Sequence, residues 1–117
     1  MPHISEERFE ELVAEALDEL PAWIIATMDN VTVQVDDLPP RGQPALLGLY
    51  HGVPLSQRAR GYTNVLPDTI TLYRATIMRV AGQDEARLRG VVAHTVAHEI
   101  AHHFGISDER LIEIDRY

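Results

Sequence analysis

The sequence predicts an α+β fold in which a small, three-stranded, twisted sheet packs with helices, and a long helix lies near the C-terminus. Two observations predict it. Apolar residues recur with helical spacing near both ends of the chain, and the middle holds short segments of strand character bounded by glycine and proline. With 117 residues there is enough chain for one modest core, so we expect residues 1–117 to form a single domain.

The composition narrows the class of protein. Apolar residues make up 45% of the chain and charged residues 24%, as in a soluble globular protein. The net charge of −8 and the lack of a basic patch argue against nucleic acid and anionic lipid as partners. The N-terminus has no signal-peptide pattern and no segment is apolar enough to span a membrane, so we expect a cytoplasmic protein. Without cysteine, histidine and carboxylate remain as metal ligands.

The N-terminal helix is predicted over residues 5–20. Ser5 can cap it, and Ile4 and Phe9 can pack across that cap. Glutamates cover its other face, which is most simply a solvated surface. The apolar residues repeat with helical spacing: Phe9, Leu12, Val13, Ala16, Leu17 and Leu20.

A second, short helix is predicted over Ala22–Met28, with Trp23 as a core anchor. Three strands follow at Val31–Val35, Leu46–His51 and Thr69–Tyr73. Such a sheet is expected to leave one edge free, where an extended peptide can add as a strand. Within the second strand, Gly48 indicates a bulge or a close backbone approach. A helical piece at Ala75–Ala81 precedes the long helix, which Asp84 can cap and which is expected to run to Phe104.

The long helix contains the H-E-x-x-H motif, formed by His98, Glu99 and His102. A helix turns about 100° per residue, so the two histidines lie about 40° apart on one stripe and can reach one zinc ion. Glu99 lies on the flank of that stripe, where a carboxylate can act as general base toward a zinc-bound water. The opposite side carries an apolar stripe suited to a core: Val96, Ile100 and Phe104.

A third ligand is needed if one zinc position is to stay open for water. Gly105 can end the helix, and Asp108 follows three residues later, giving H-E-x-x-H-x-x-G-x-x-D. This string is similar to the metzincin pattern, with aspartate in place of its last histidine. Asp108 or Ser107 can instead cap a short helix over 109–115. The rival ligands are the later glutamates, Glu109 and Glu113.

The segment HEIAHHFGISDERL, preceded by TITLYR, resembles the small bacterial zincin-like metallopeptidase domains called minimal zincins. The resemblance covers nearly the whole chain and is most specific from His98 to Leu111. It implies a zincin-like fold with one Zn²⁺ per chain, bound by His98, His102 and Asp108, with Glu99 as the catalytic base. With few residues after Asp108, a site with one wall is expected to hold substrate loosely or to need a protein partner that completes the cleft.

Two functions follow as hypotheses. The first is a zinc-dependent metallopeptidase acting on a peptide or protein substrate in extended conformation. The second is a metal-stabilised peptide- or protein-binding module with little or no turnover; an intact Glu99 favours the enzyme. His94 can approach the metal or support a ligand, and His103 points away from it. Arg58, Arg60 and Arg74 are expected at the surface. Candidates to stabilise an oxyanion, each also explicable by packing, are Tyr50, His51, Tyr62 and Tyr117.

Overall fold

The computed structural model describes residues 4–52 and 68–104, which fold as an α+β arrangement of four helices and three strands. The prediction of fold class is confirmed, and the elements follow the predicted order. They are α1 (Glu6–Asp18), α2 (Ala22–Thr27), β1 (Val31–Asp36), β2 (Gly48–His51), β3 (Asp68–Tyr73), α3 (Arg74–Ala81) and α4 (Glu85–Phe104). The segment 54–64, whose polar sequence predicts a loop or lid, and the short helix predicted over 109–115 both lie outside the described residues.

Helix α1 begins where the sequence predicts. The Oγ atom of Ser5 accepts a hydrogen bond of 3.0 Å from the backbone N–H of Arg8, which satisfies a free donor of the first turn. Ile4 and Phe9 are both buried, as expected for a contact across the cap. The predicted apolar face enters the core through Phe9, Leu12, Val13 and Ala16.

Helix α2 corrects the prediction for Trp23. The indole is only half-buried and packs against the margin of the core, whereas the neighbouring Ile24 is fully buried and enters it. A large ring placed at the end of a short helix covers the core from outside, and the smaller side chain fits within. Pro21 directly precedes α2.

The sheet has the strand order β1-β3-β2, with β1 parallel and β2 antiparallel to the central strand β3. Flanked on both sides, β3 buries Ile70 and Leu72 completely. Strand β1 alternates half-buried and exposed residues, as its sequence predicts. Among the described strands, β1 and β2 form the two edges of the sheet.

Helix α4 is the central element of the molecule. It contacts the other three described helices and also β2 and β3. Its first turn is capped by Asp84, whose Oδ1 accepts a hydrogen bond of 3.1 Å from the backbone N–H of Arg87. Four fully buried side chains anchor its core face: Leu88, Val92, Val96 and Ile100. None of the described helices combines the length and apolar character needed to cross a bilayer.

A cluster of ion pairs links α1 to the start of α4. The guanidinium group of Arg8 lies 2.8 Å from a carboxylate oxygen of Glu85 and 3.1 Å from one of Glu15. Its hydrogen bond to the carboxylate lowers the pKa of Glu85 below the ordinary value of 4.5, and the same hydrogen bond raises the pKa of Arg8. Both residues are therefore charged at neutral pH and join the two helices near the surface.

Candidate metal centre

Three histidines lie along one side of α4, spaced one helical turn apart. The ring centroids of His94 and His98 are 4.0 Å apart, and those of His98 and His102 are 5.8 Å apart with the rings perpendicular. His98 is half-buried, whereas His94 and His102 are exposed. The predicted helical context of the H-E-x-x-H motif is therefore present, with an open side that a metal ion can approach.

The two motif histidines fit the requirements of zinc. Two imidazoles bound to one tetrahedral zinc through nitrogens at about 2.0–2.1 Å have ring centroids roughly 5 Å apart. The spacing of 5.8 Å between the His98 and His102 rings is close to that value. Asp108, the predicted third ligand, and its rivals Glu109 and Glu113 lie outside the described residues. Within 4–52 and 68–104, no three metal-binding side chains come together to hold an ion.

Glu99 is hydrogen-bonded to strand β2. Its Oε1 atom accepts a bond of 2.9 Å from the backbone N–H of Tyr50. The N–H of Tyr73 donates to the carbonyl of Leu47, and in an antiparallel ladder every second residue pairs in this way. Tyr50 therefore directs its N–H away from β3, toward the outer edge of the described sheet. The carboxylate of Glu99 lies at this edge.

Gly48 permits the close approach of helix and strand. A Cβ atom placed on Gly48 would lie 2.8 Å from Cγ2 of Thr95 and 3.1 Å from the carbonyl oxygen of Thr71. Any larger residue would push α4 away from β2. The sequence-based expectation of a close backbone approach at this position is confirmed, and Thr95, one turn before Glu99, is the partner.

The side chain of Tyr50 is held through its hydroxyl and through its ring. Its hydroxyl donates a hydrogen bond of 2.7 Å to Oδ2 of Asp68, and its ring stacks on His103 with centroids 3.9 Å apart and an interplanar angle of 18°. Asp68 is only 6% exposed. Of the two roles considered for Tyr50, these contacts agree with packing. A Cβ atom on Gly52 would lie 3.1 Å from the His103 ring, so this glycine borders the same cluster.

A second tyrosine lies within the electrostatic influence of Glu99. Tyr73 is almost fully buried, and burial raises the pKa of its hydroxyl, with further contributions from the negative charges of Asp36 and Glu99. The phenol therefore stays neutral over the physiological range.

The remaining candidates have simpler positions. His51 ends β2 and is exposed. Arg74 forms ion pairs with Asp37 and Glu6, neither of which belongs to the motif. These contacts agree with the expected surface role. Tyr62, Tyr117, Arg58 and Arg60 lie outside the described residues. The contacts of Glu99, Tyr50, Asp68 and His103 were not predicted, because no local signal in the sequence pairs Asp68 with Tyr50.

Comparison with known proteins extends the likeness beyond the motif. Residues 28–117, more than half of the chain, match the model of a family described as zincin-like metallopeptidase. Among solved structures, the chain is similar to a conserved hypothetical protein from Thermo thermophilus, with 25% sequence identity and a TM-score of 0.57. That similarity covers 91% of this chain and 99% of the other. Comparison with curated proteins gives no match.

Proposed function

Because the chain belongs to the zincin-like metallopeptidase family, we propose that it is a zinc-dependent metallopeptidase that hydrolyses peptide bonds. One Zn²⁺ per chain is held by His98, His102 and Asp108, and Glu99 is the general base. The proposed substrate is a peptide or protein segment in extended conformation. A protein partner that completes the cleft is part of this proposal, since the motif helix and the edge strand would contact a bound peptide from one side.

The observation that carries the proposal is the position of Glu99 at the outer edge of β2 in the described sheet. An extended peptide that adds to a sheet edge bonds to the outward N–H and C=O groups of the edge strand. The carboxylate is 2.9 Å from such a group, the N–H of Tyr50. It also neighbours the two histidines of its motif in sequence and on the helix. A base must lie within hydrogen-bonding reach of the proton that it takes, and this placement suits one working between metal and peptide.

When bound, zinc supplies a water of lowered pKa and polarises the carbonyl group under attack. The chain's own residues bind, orient and move a proton. His98 and His102 bind the metal through neutral ring nitrogens. With the metal bound, the Glu99 carboxylate, whose Oε1 accepts the Tyr50 N–H, would take a proton from the attacking water and return it to the departing amine nitrogen. Strand β2 orients the peptide along the groove.

A metal-stabilised peptide- or protein-binding module is the second candidate, and one contact favours it. The Tyr50 N–H gives Glu99 a structural role in joining helix to strand. The presence of the glutamate is therefore explained without catalysis as well as with it. The two candidates share the metal, the groove and the extended ligand, and they differ only in turnover.

The test compares Glu99→Gln with the wild-type protein and with His98→Ala. Glutamine retains the shape of the side chain and an acceptor for Tyr50 but removes the base. We expect about one zinc per chain in the wild type and in Glu99→Gln by elemental analysis, and none in His98→Ala. Against a peptide library, cleavage by Glu99→Gln should fall on the order of 10²-fold or more.

Each outcome decides between the candidates. Metal bound without cleavage of any peptide, with and without added cell extract to supply a partner, would favour the binding module. Equal cleavage by wild type and Glu99→Gln would mean that another group is the base. Zinc retained when both His98 and His102 are replaced by alanine would contradict the assigned metal site.

A further inference from the structure

The cluster around Tyr50 brings together a buried carboxylate, a phenol and a histidine beside the motif. We propose that Asp68, Tyr50 and His103 form a positioning chain that sets the carboxylate of Glu99 against the edge strand. The inference rests on the proposed function for its catalytic consequence, although its structural part is independent of turnover. None of the three residues is a catalytic residue, because each acts on Glu99 through the strand.

The positioning chain starts at Asp68, which is fixed in the sheet. Its backbone N–H donates to the carbonyl of Asn30 at 3.0 Å, and its side chain is 6% exposed. A carboxylate this deeply buried requires hydrogen-bond donors, and the Tyr50 hydroxyl is one of them at 2.7 Å. The bond spans from the first residue of β3 to the third residue of β2, so it fixes the tyrosine ring relative to the central strand.

The ring then connects the strand to the helix. Tyr50 stacks on His103 at 3.9 Å, while its backbone N–H binds Glu99. Residues four apart on a helix lie on the same side, one turn from each other. One residue of β2 is thus attached to two successive turns of α4, once through its ring and once through its backbone. In sequence, His102, a proposed metal ligand, lies between the two attached residues.

This arrangement restricts both rotation and translation of α4 against β2. The buried core face and the contact of Thr95 with Gly48 already place α4 against β2, so what the backbone bond alone leaves open is small shifts of the helix end and of the Glu99 carboxylate along the strand. The stacked ring adds a second fixed point one turn away. Since a displacement of about 1 Å at a reacting group can lower a rate on the order of 10²-fold, fixing the carboxylate has a catalytic consequence.

The first measurement uses metal-free protein and requires no activity. An outward N–H on an edge strand exchanges rapidly with solvent unless it is bonded, so the amide of residue 50 reports on the Glu99 contact. By NMR, Glu99→Ala should raise exchange at this amide about tenfold, and Glu99→Gln much less, because it keeps an acceptor. Tyr50→Phe and His103→Ala should each raise it about threefold or more, and His103→Phe, which retains a stacking ring, should restore protection.

The matched control is Gln34→Ala. It removes a side-chain hydrogen bond of 2.9 Å to the hydroxyl of Thr71, on the side of β3 that faces β1. The variant loses a contact of the same kind to the same central strand, but away from β2. We expect this variant to have the same amide exchange at residue 50 and the same kcat as the wild type.

The second measurement separates positioning from general stability. Well below the melting temperature, Tyr50→Phe and His103→Ala should lower kcat about three- to tenfold with little change in KM or zinc affinity, and His103→Phe should recover most of the loss. A residue that only stabilises the fold would lower the melting temperature and leave kcat unchanged. His103 is exposed, so its variants should fold even if Tyr50→Phe does not.

The results distinguish this inference from the proposed function. Suppose that the wild type cleaves no peptide but that amide exchange at residue 50 changes among the variants as expected. The positioning chain then holds Glu99, and the hydrolase assignment fails. If the wild type cleaves and exchange in Tyr50→Phe and His103→Ala equals that of the wild type, the positioning chain is overturned and the hydrolase stands. Unchanged exchange in Glu99→Ala would also overturn it, because the strand would then not hold the carboxylate.

Discussion

Gly48 shows at the scale of one residue how the position of the motif helix is set. A methyl group added there would meet the Thr95 side chain at 2.8 Å and the Thr71 carbonyl at 3.1 Å. We therefore expect Gly48→Ala to lower the free energy of unfolding by about 1–3 kcal/mol, the usual cost of overpacking. Urea denaturation measures it.

Gly90 provides the matched control within the chain. It lies in α4, is exposed, and has no atom within 4 Å of an added Cβ. Gly90→Ala should therefore raise the free energy of unfolding by about 0.5–1 kcal/mol, because alanine suits a helix better than glycine. Combining Gly48→Ala with Thr95→Ser, which removes the clashing methyl, should recover part of the loss. Equal stability of Gly48→Ala and the wild type would mean that helix and strand are not in close contact here.

At the scale of elements, α1 and α4 are held by a core contact and by the ion pair of Arg8 with Glu85. The pKa of Glu85 is lowered, so the ionised pair stabilises the folded state fully above the ordinary value of 4.5. That stabilisation is lost as the pH falls through the lowered, folded-state pKa. Glu85→Gln should melt at a lower temperature than the wild type near pH 7, and the difference should shrink toward zero in acid.

Glu10→Gln is the control for this pH dependence. Glu10 is an exposed glutamate in the middle of α1, so the variant makes the same change of charge. Its melting temperature should differ little from that of the wild type near pH 7. A constant difference between Glu85→Gln and the wild type from neutral pH into acid would show that the lost contact is not an ionic one. Thermal melts followed by circular dichroism at several pH values provide the measurement.

Elements were predictable where their signals are local. Ser5 and Asp84 each cap a helix by binding an N–H three residues ahead, a relation that is visible in the sequence. The cluster of Asp68, Tyr50 and His103 joins positions 18 and 53 residues apart. Such pairs depend on strand order and on how α4 lies against β2, neither of which follows from spacing.

Side-chain burial was also harder to predict than element type. Two neighbouring apolar residues, Trp23 and Ile24, are equally acceptable as core residues by composition. In the fold Ile24 is fully buried, whereas Trp23 is partly buried and packs against the core. The motif histidines, in contrast, were predictable as a pair because helical spacing alone brings them together. Zinc ligation by Asp108 remains a prediction, as do the single domain and the partners.

For the whole molecule, metal binding should be coupled to folding. A ligand that binds only the folded state at 100 times its Kd stabilises it by about 2.7 kcal/mol, which for a domain of this size raises Tm by roughly 10 °C. We expect added zinc to raise the Tm of the wild type and chelator to reverse the effect.

Single variants of the candidate ligands assign the third position. Asp108→Ala should abolish most of the zinc-dependent rise in Tm, and Glu113→Ala should retain it. The opposite result would transfer the third ligand to Glu113. If both variants retain the zinc-dependent rise in Tm, Glu109→Ala becomes the decisive variant. Loss of the rise only in Glu109→Ala would assign Glu109 as the third ligand.

The three contacts between α4 and β2 recur with different spacing along the helix and along the strand. Thr95, Glu99 and His103 advance along the helix about 6.0 Å per step, whereas Gly48, Tyr50 and Gly52 advance about 6.7 Å. When the middle positions coincide, each outer pair is displaced by about 0.7 Å. The Thr95 methyl beside the backbone of Gly48 and the His103 ring beside Gly52 tolerate such an offset, whereas a hydrogen bond depends more strongly on distance and angle. The contact that depends on direction is the middle one, between Glu99 and Tyr50, where the positions along helix and strand coincide most closely.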